Sequence, residues 1–144
     1  MGLTLTTGQT VFLDSAPLIY FFEENTQYVE QMDRIFQAVA ARQCAVVTSM
    51  ITYIELLTLP EKMGDRRLAA KYRECLTNSE GFSIYPLNLT VADGAVELRA
   101  RYGLRTPDAI QLSTAKVCGA DYVLTNDRAW KKVPELNVVL VDEL

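Results

Sequence analysis

Short apolar runs alternate with amphipathic stretches along this chain. VFLD (11–14) reads as a strand ending in an aspartate, and SAPLIYFFEEN (15–25) continues as a helix with Ser15 as a candidate cap. Residues 28–42, YVEQMDRIFQAVAAR, set Val29, Met32, Ile35, Phe36 and Val39 three or four positions apart, the spacing of a helix packed on one side. CAVVTS (44–49) is a second strand. MITYIELLTLP (50–60) follows as a helix, with Thr48 or Ser49 near its start and Pro60 near its end, and EKMGDRRLAAKYRECLTN (61–78) reads as a hinge and another amphipathic helix. FSIYPL (82–87) is a third strand. LTVADGAVELRARYG (89–103) predicts a helix capped by Thr90 and stopped by Gly103; Thr106 then opens a helix through Lys116 that Gly119 closes. ADYVLTNDRAW (120–130) supplies a fourth strand with a polar turn, and LNVVLVD (136–142) a fifth.

Strands and helices alternate without a glycine-serine linker or a repeat. The pattern predicts a three-layer α/β/α sandwich around a mainly parallel, five-stranded sheet. With 144 residues there is enough chain for one well-buried core and too little for two ordinary domains, so residues 1–144 are expected to form one domain. Apolar residues make up 49% and charged residues 22%, which argues against disorder. No apolar run approaches the roughly 18 residues of a membrane span. The opening MGLTLTTGQT lacks a basic segment followed by an apolar one, so a cytoplasmic protein is expected.

The absence of histidine removes whole classes of chemistry: a histidine general base, Ser-His-Asp and Cys-His catalysis, and histidine-ligated zinc. Cys44, Cys75 and Cys118 show no CxxC spacing and sit in or beside apolar stretches, where a reduced cysteine packs as a small hydrophobe. Eighteen acidic against 14 basic residues give a formal charge of -4, which weighs against holding nucleic acid by bulk positive charge. Bound divalent cations and a local basic rim can reverse that sign where a substrate lies.

The acids themselves are the candidate chemistry. Parallel sheets bind ligands outside the carboxyl ends of their strands. Asp14 ends the first strand, Glu55 lies in the helix after the second, Asp108 opens the helix that feeds the fourth, and Asp127 lies two residues past the fourth. All four can face one edge of the sheet. There they would repel one another, and binding one or two hard cations such as Mg²⁺ or Mn²⁺ is the simplest way to reconcile their charges. Each acid taken singly also has a local reading: Asp108, for example, follows Pro107 in a first helical turn, where a negative charge is favourable in any helix. A helix-face pair, Asp93 and Glu97, reads first as solvated surface, with Asp93 near the helix N-terminus as a candidate to assist the metal site.

In this order and spacing, FLDSAPLIYFFE, TYIEL, YGLRTPDAIQLSTA and DYVLTNDRAW resemble the PIN domain family, and more narrowly the VapC-like toxin ribonucleases of toxin-antitoxin pairs. The resemblance covers nearly the whole chain. It matches the family's four acids to Asp14, Glu55, Asp108 and Asp127 and implies that they hold Mg²⁺ or Mn²⁺ and are catalytic. It further implies a ribonuclease that cuts structured RNA such as tRNA or rRNA, a small antitoxin partner, and a homodimer. Ser15, Thr125 and Asn126 are candidates for supporting the acids or merely capping turns. Arg105 and Arg128 are candidates for contacting RNA phosphates, with Arg101, Lys131 and Lys132 further out. An acidic residue that the family often places before the aromatic after the fourth acid is absent here, where Ala129 precedes Trp130. Of the aromatic run Tyr20, Phe21 and Phe22, part is expected in the core; the resemblance suggests that the remainder helps a partner helix lie in a groove.

Other α/β chemistries fit less well. A phosphoaspartyl phosphatase needs a second acid two residues after the first, where Ala16 stands, and a receiver-like domain lacks its acidic pair. A dinucleotide enzyme needs a glycine-rich first turn, which DSAPL does not supply. The alternative that keeps the fold is a catalytically inactive PIN-like module that binds RNA or protein.

Overall fold

In the computed structural model, which describes residues 3–41 and 43–144, five strands form one parallel sheet in the order β3-β2-β1-β4-β5. The strands are β1 (Thr10–Leu13), β2 (Ala45–Ser49), β3 (Phe82–Tyr85), β4 (Tyr122–Thr125) and β5 (Val138–Leu140). Every pairing is parallel, so each connection is a crossover. Helices α1 (Ser15–Phe22), α2 (Val29–Ala41), α3 (Met50–Met63) and α4 (Arg66–Asn78) supply one apolar layer, and α5 (Leu89–Tyr102) and α6 (Thr106–Val117) the other. Among the described residues no helix is long and apolar enough to cross a membrane.

The central strands are apolar on both sides because each faces a helical layer. Val11, Leu13, Val46 and Leu124 join the core with α1 to α4, while their neighbours Phe12, Val47 and Val123 join the core with α5 and α6. Chain order places β1 in the middle. From it the chain leaves to β2 on one side, and β4 closes on the other, so the carboxyl end of β1 lies at the switch point of the sheet.

Helix boundaries depart from the sequence reading in four places. Asp14, not Ser15, caps α1, because its carboxylate accepts from the Ser15 N–H at 2.7 Å and Ser15 is already the first helical residue. Asn88, not Thr90, caps α5 through the Val91 N–H at 2.9 Å. Thr106 opens α6 as expected, but as its first helical residue and not as its cap. Arg105 holds that position without a side-chain bond, and Pro107 lacks one of the N–H groups a cap would engage. Pro60 does not end α3, which runs on to Met63. Pro60 is buried, its carbonyl accepts the Asp65 N–H at 2.9 Å, and Gly64 stops the helix with a left-handed backbone, φ 67°. The expected extension of α2 to Arg42, like the opening Met1 and Gly2, lies outside the described residues.

Helices α5 and α6 touch closely at Gly94. A methyl group there would run into Ser113 Oγ, whose hydroxyl is buried and donates to the Val91 carbonyl at 2.7 Å. Gly94→Ala is therefore expected to destabilise the fold by about 1–3 kcal/mol through overpacking, despite the ~1 kcal/mol that alanine gains over glycine in a helix. Adding Ser113→Ala should recover a large part of the loss. Urea midpoints of the two single variants and the double variant check this, and simple additivity would refute the contact.

Candidate active site

Asp14 stands at the carboxyl end of β1 and its two oxygens are spoken for on several sides. Oδ1 accepts from the Ser15 N–H at 2.7 Å and from Gln111 Nε2 at 3.0 Å, and Oδ2 accepts from the Thr125 hydroxyl at 2.7 Å. Thr125 Oγ1 also accepts the Asp127 N–H at 3.0 Å, so the end of β4 fixes the first acid and the turn that carries the fourth. Glu55, exposed on α3, accepts from the Ser15 hydroxyl at 3.0 Å. Asp108, in the first turn of α6, pairs with Arg105 Nε at 3.1 Å, and Asp127 accepts the Ala129 N–H at 3.0 Å in a 3₁₀ turn, Arg128–Lys132.

All four acids line one cleft of about 560 Å³, together with Ser15, Arg105 and Gln111, and with Ile19, Ile51 and Ile54 as its apolar wall. The edge of the sheet thus gathers residues from β1, α3, α6 and the turn after β4. Burial pushes the Asp14 carboxyl up to about 6, and the negative charges of Glu55 and Asp108 add to the rise, against the opposing hydrogen bonds from Thr125 and Ser15. Among the described residues no three His, Cys, Asp or Glu side chains stand close enough to form a ready-made metal cage. Each acid is instead held by its own neighbour. The donor set is carboxylate oxygen without imidazole, which suits a hard cation, and an ion beside Asp14 would relieve the charge that burial and its acidic neighbours disfavour.

Two side chains beside the acids escape the sequence reading. Gln111 and Thr52 are buried under the cleft, and Gln111 Nε2 also donates to Thr52 Oγ1 at 3.1 Å. The available signal was polarity in the wrong place: Gln111, Ser113 and Thr114 share the buried face of α6 with Ala109, Leu112 and Ala115. Asn126 does not touch the acids. Its Oδ1 accepts the Asp142 N–H at 3.2 Å and its Nδ2 donates to the Tyr20 hydroxyl at 3.4 Å, tying the turn to α1 and the C-terminal segment.

Of the basic candidates only Arg105 lines the cleft. Arg128 lies 3.9 Å from Asp142, Arg101 4.0 Å from Glu135, and Lys131 2.8 Å from Glu143. Lys132 is exposed, as are Asp93 and Glu97. The aromatic run turns away from the acids: Tyr20 stacks on Tyr28, Phe21 packs on Phe36, and Phe22 stacks on Tyr72. Phe21, Phe22 and Phe36 line a second, apolar groove of about 700 Å³ with Leu18, Cys75 and Phe82, so the larger hollow is not the one that gathers the acids.

The PIN domain profile matches residues 11–136. The chain is similar in structure to a toxin-antitoxin complex from Klebsiella pneumoniae, with 26% identity, a TM-score of 0.69, and coverage of 93% of this chain and 99% of that one. It is also similar to VapBC2 from Rickettsia felis bound to a DNA fragment from their promoter, at 17% identity and TM-score 0.75, covering 92% and 98% of the two chains. DNA-bound VapBC from Salmonella typhimurium has 18% identity, TM-score 0.72 and the same coverage. No match was found among curated protein sequences.

The raised Asp14 carboxyl carries a signed consequence for stability. Its folded value of about 6 lies above the ordinary 3.8, so the folded protein binds the proton more tightly, and the contribution of Asp14 to stability falls as pH rises from about 4 to 6. Asp14→Asn, which cannot ionise, is expected to be more stable than wild type at pH 7 by up to about 3 kcal/mol, with the gain gone below about pH 4. Denaturant unfolding in chelator across pH 3–8 measures the difference. A variant equally destabilised at every pH would show that Asp14 serves only as a cap.

Proposed function

Because the chain belongs to the PIN domain family, we propose that it is a divalent-metal-dependent endoribonuclease, the toxin of a type II toxin-antitoxin pair, which hydrolyses phosphodiester bonds in structured RNA such as tRNA or rRNA. The observation that carries this reading is the gathering of Asp14, Glu55, Asp108 and Asp127 on one cleft at the switch point of a parallel sheet. These four residues would hold Mg²⁺ or Mn²⁺, which when bound supplies an activated water and neutralises charge at the scissile phosphate.

The protein's own part is positioning. Ser15 and Thr125 hold Glu55 and Asp14 by their hydroxyls, and Asn126 anchors the turn that presents Asp127. Arg105, paired with Asp108 yet with a side chain 80% exposed, is placed to exchange that partner for an RNA phosphate. Arg128, 77% exposed, offers a further phosphate contact outside the cleft. An overall charge of -4 leaves substrate binding to such local groups and to the bound ion.

Two apolar surfaces support the proposed partners, a small antitoxin and a second copy of the chain. The apolar groove lined by Phe21, Phe22, Phe36 and Phe82 takes an amphipathic helix of a small antitoxin. Exposed Ile54, Leu59 and Met63 on α3 and Leu89 and Val96 on α5 provide apolar surface for a homodimer. A second reading, a non-cleaving PIN-like binding module, is favoured by one observation, the lack of a ready-made cage among the described acids.

Cleavage of RNA by purified protein separates the two readings. Wild type should cut with sharp ends in Mg²⁺ or Mn²⁺ and be silenced by chelation, while Asp14→Asn and Asp108→Asn should each lose at least about 10²-fold, near 3 kcal/mol of transition-state stabilisation. Near-normal cleavage by both variants, or cleavage that survives exhaustive chelation, would end the nuclease proposal. Light scattering at micromolar concentration should return a dimer that Leu89→Arg with Val96→Arg converts to monomer; a wild-type monomer throughout would remove the dimer.

A further inference from the structure

Gln111 is 1% exposed, yet its amide has no freedom to turn over. Ser49 Oγ accepts the Ile51 and Thr52 N–H groups at 3.1 and 3.4 Å as the cap of α3, so its one proton goes to Gln111 Oε1. With Oε1 engaged, it is Nε2 that faces Asp14 and donates to Oδ1 at 3.0 Å. The Ser15 N–H fills the other lone pair of Oδ1. On Oδ2 the Thr125 hydroxyl takes one lone pair, and its proton is equally committed because Thr125 Oγ1 already accepts the Asp127 N–H. A carboxylate has about four acceptor sites in all, so three are taken and one, on Oδ2, is left.

We propose that Gln111 is a positioning residue that saturates one oxygen of Asp14 and restricts this acid to a single remaining lone pair, selecting Mg²⁺ or Mn²⁺ over Ca²⁺. The inference rests on the metal-nuclease reading above. Mg²⁺ takes one oxygen per carboxylate in a strict octahedron, whereas Ca²⁺ accepts bidentate carboxylates and higher coordination. An Asp14 that cannot offer both oxygens is a poor ligand for Ca²⁺. Removing the Gln111 donor frees Oδ1 and returns that option. The residue acts through Asp14 and need not touch substrate, ion or reacting atoms.

The test uses the metals alone. Calorimetric titration of wild type, Gln111→Met and Gln111→Leu with Mn²⁺ and with Ca²⁺ gives the ratio of the two affinities. Wild type should prefer Mn²⁺, and either variant should reduce that preference by about tenfold or more, chiefly by tightening Ca²⁺. A merely structural role lowers stability and weakens both metals alike, leaving the ratio unchanged, and that result overturns the proposal. A measurement needing no variant runs alongside: in wild-type protein the Gln111 side-chain amide protons, followed by NMR, should stay hydrogen-bonded when Mg²⁺ is added. Their release on Mg²⁺ binding overturns it as well. If wild type binds neither Mn²⁺ nor Mg²⁺, the nuclease reading fails and takes this one with it; binding with an unchanged ratio in the variants sinks the Gln111 role alone.

Discussion

A carboxylate at the end of a buried strand loses much of its hydration, and the loss must be met by donors fixed elsewhere in the chain. At Asp14 those donors come from three places: the first N–H of α1, the amide of Gln111 on α6, and the hydroxyl of Thr125 at the end of β4. Their geometry holds only if β1 sits between β2 and β4 with α6 packed over the junction, so the order of the sheet and the satisfaction of one acid are the same requirement. Even so the donors do not fully compensate, since the carboxyl remains pushed up to about 6. The shortfall sits at the cleft rather than in either apolar core.

The same economy of groups recurs around the cleft. Ser49 ends β2, caps α3 and fixes Gln111; Thr125 ends β4, holds Asp14 and takes the Asp127 N–H; Ser15 begins α1 and reaches Glu55. The Ser49 and Thr125 hydroxyls each accept from a helix or turn N–H while donating to Gln111 and Asp14, and the Ser15 hydroxyl donates to Glu55. Hydroxyl groups suit this use because one oxygen both donates and accepts, and the acceptor duty to a backbone N–H settles where the proton points. Local folding signals and site geometry are therefore set by the same atoms.

What could be read from the sequence follows this division. The five strands were legible as short apolar runs, and the gathering of Asp14, Glu55, Asp108 and Asp127 on one cleft followed from the rule that parallel sheets present their ligand edge beyond the carboxyl ends of the strands. The caps at Asp14 and Asn88 and the passage of α3 through Pro60 were misread because a rule about a residue type was applied one or two positions off, or without knowing that Pro60 is buried. Polarity marked Gln111 as out of place on α6, but its contacts were not legible. Its partners Asp14 and Ser49 lie 97 and 62 positions away, and no local pattern encodes a contact at that separation. The lack of a compact cage among the described residues is of the same kind, since side-chain rotamers rather than spacing decide it.

The central place of β1 also has a meaning in time. Asp14 belongs to the first strand made, whereas Gln111, Thr125 and Asp127 belong to the last third of the chain, and β1 has no β4 to pair with until that part exists. At typical synthesis rates of 5–20 residues per second, the interval between Asp14 and Asp127 lasts on the order of 5–25 s. For most of it Asp14 lacks the donors that Gln111 and Thr125 supply in the folded protein. Long-range parallel pairing is slow to form, and here it keeps Asp14 apart from Asp108 and Asp127 until the residues that carry them have been made.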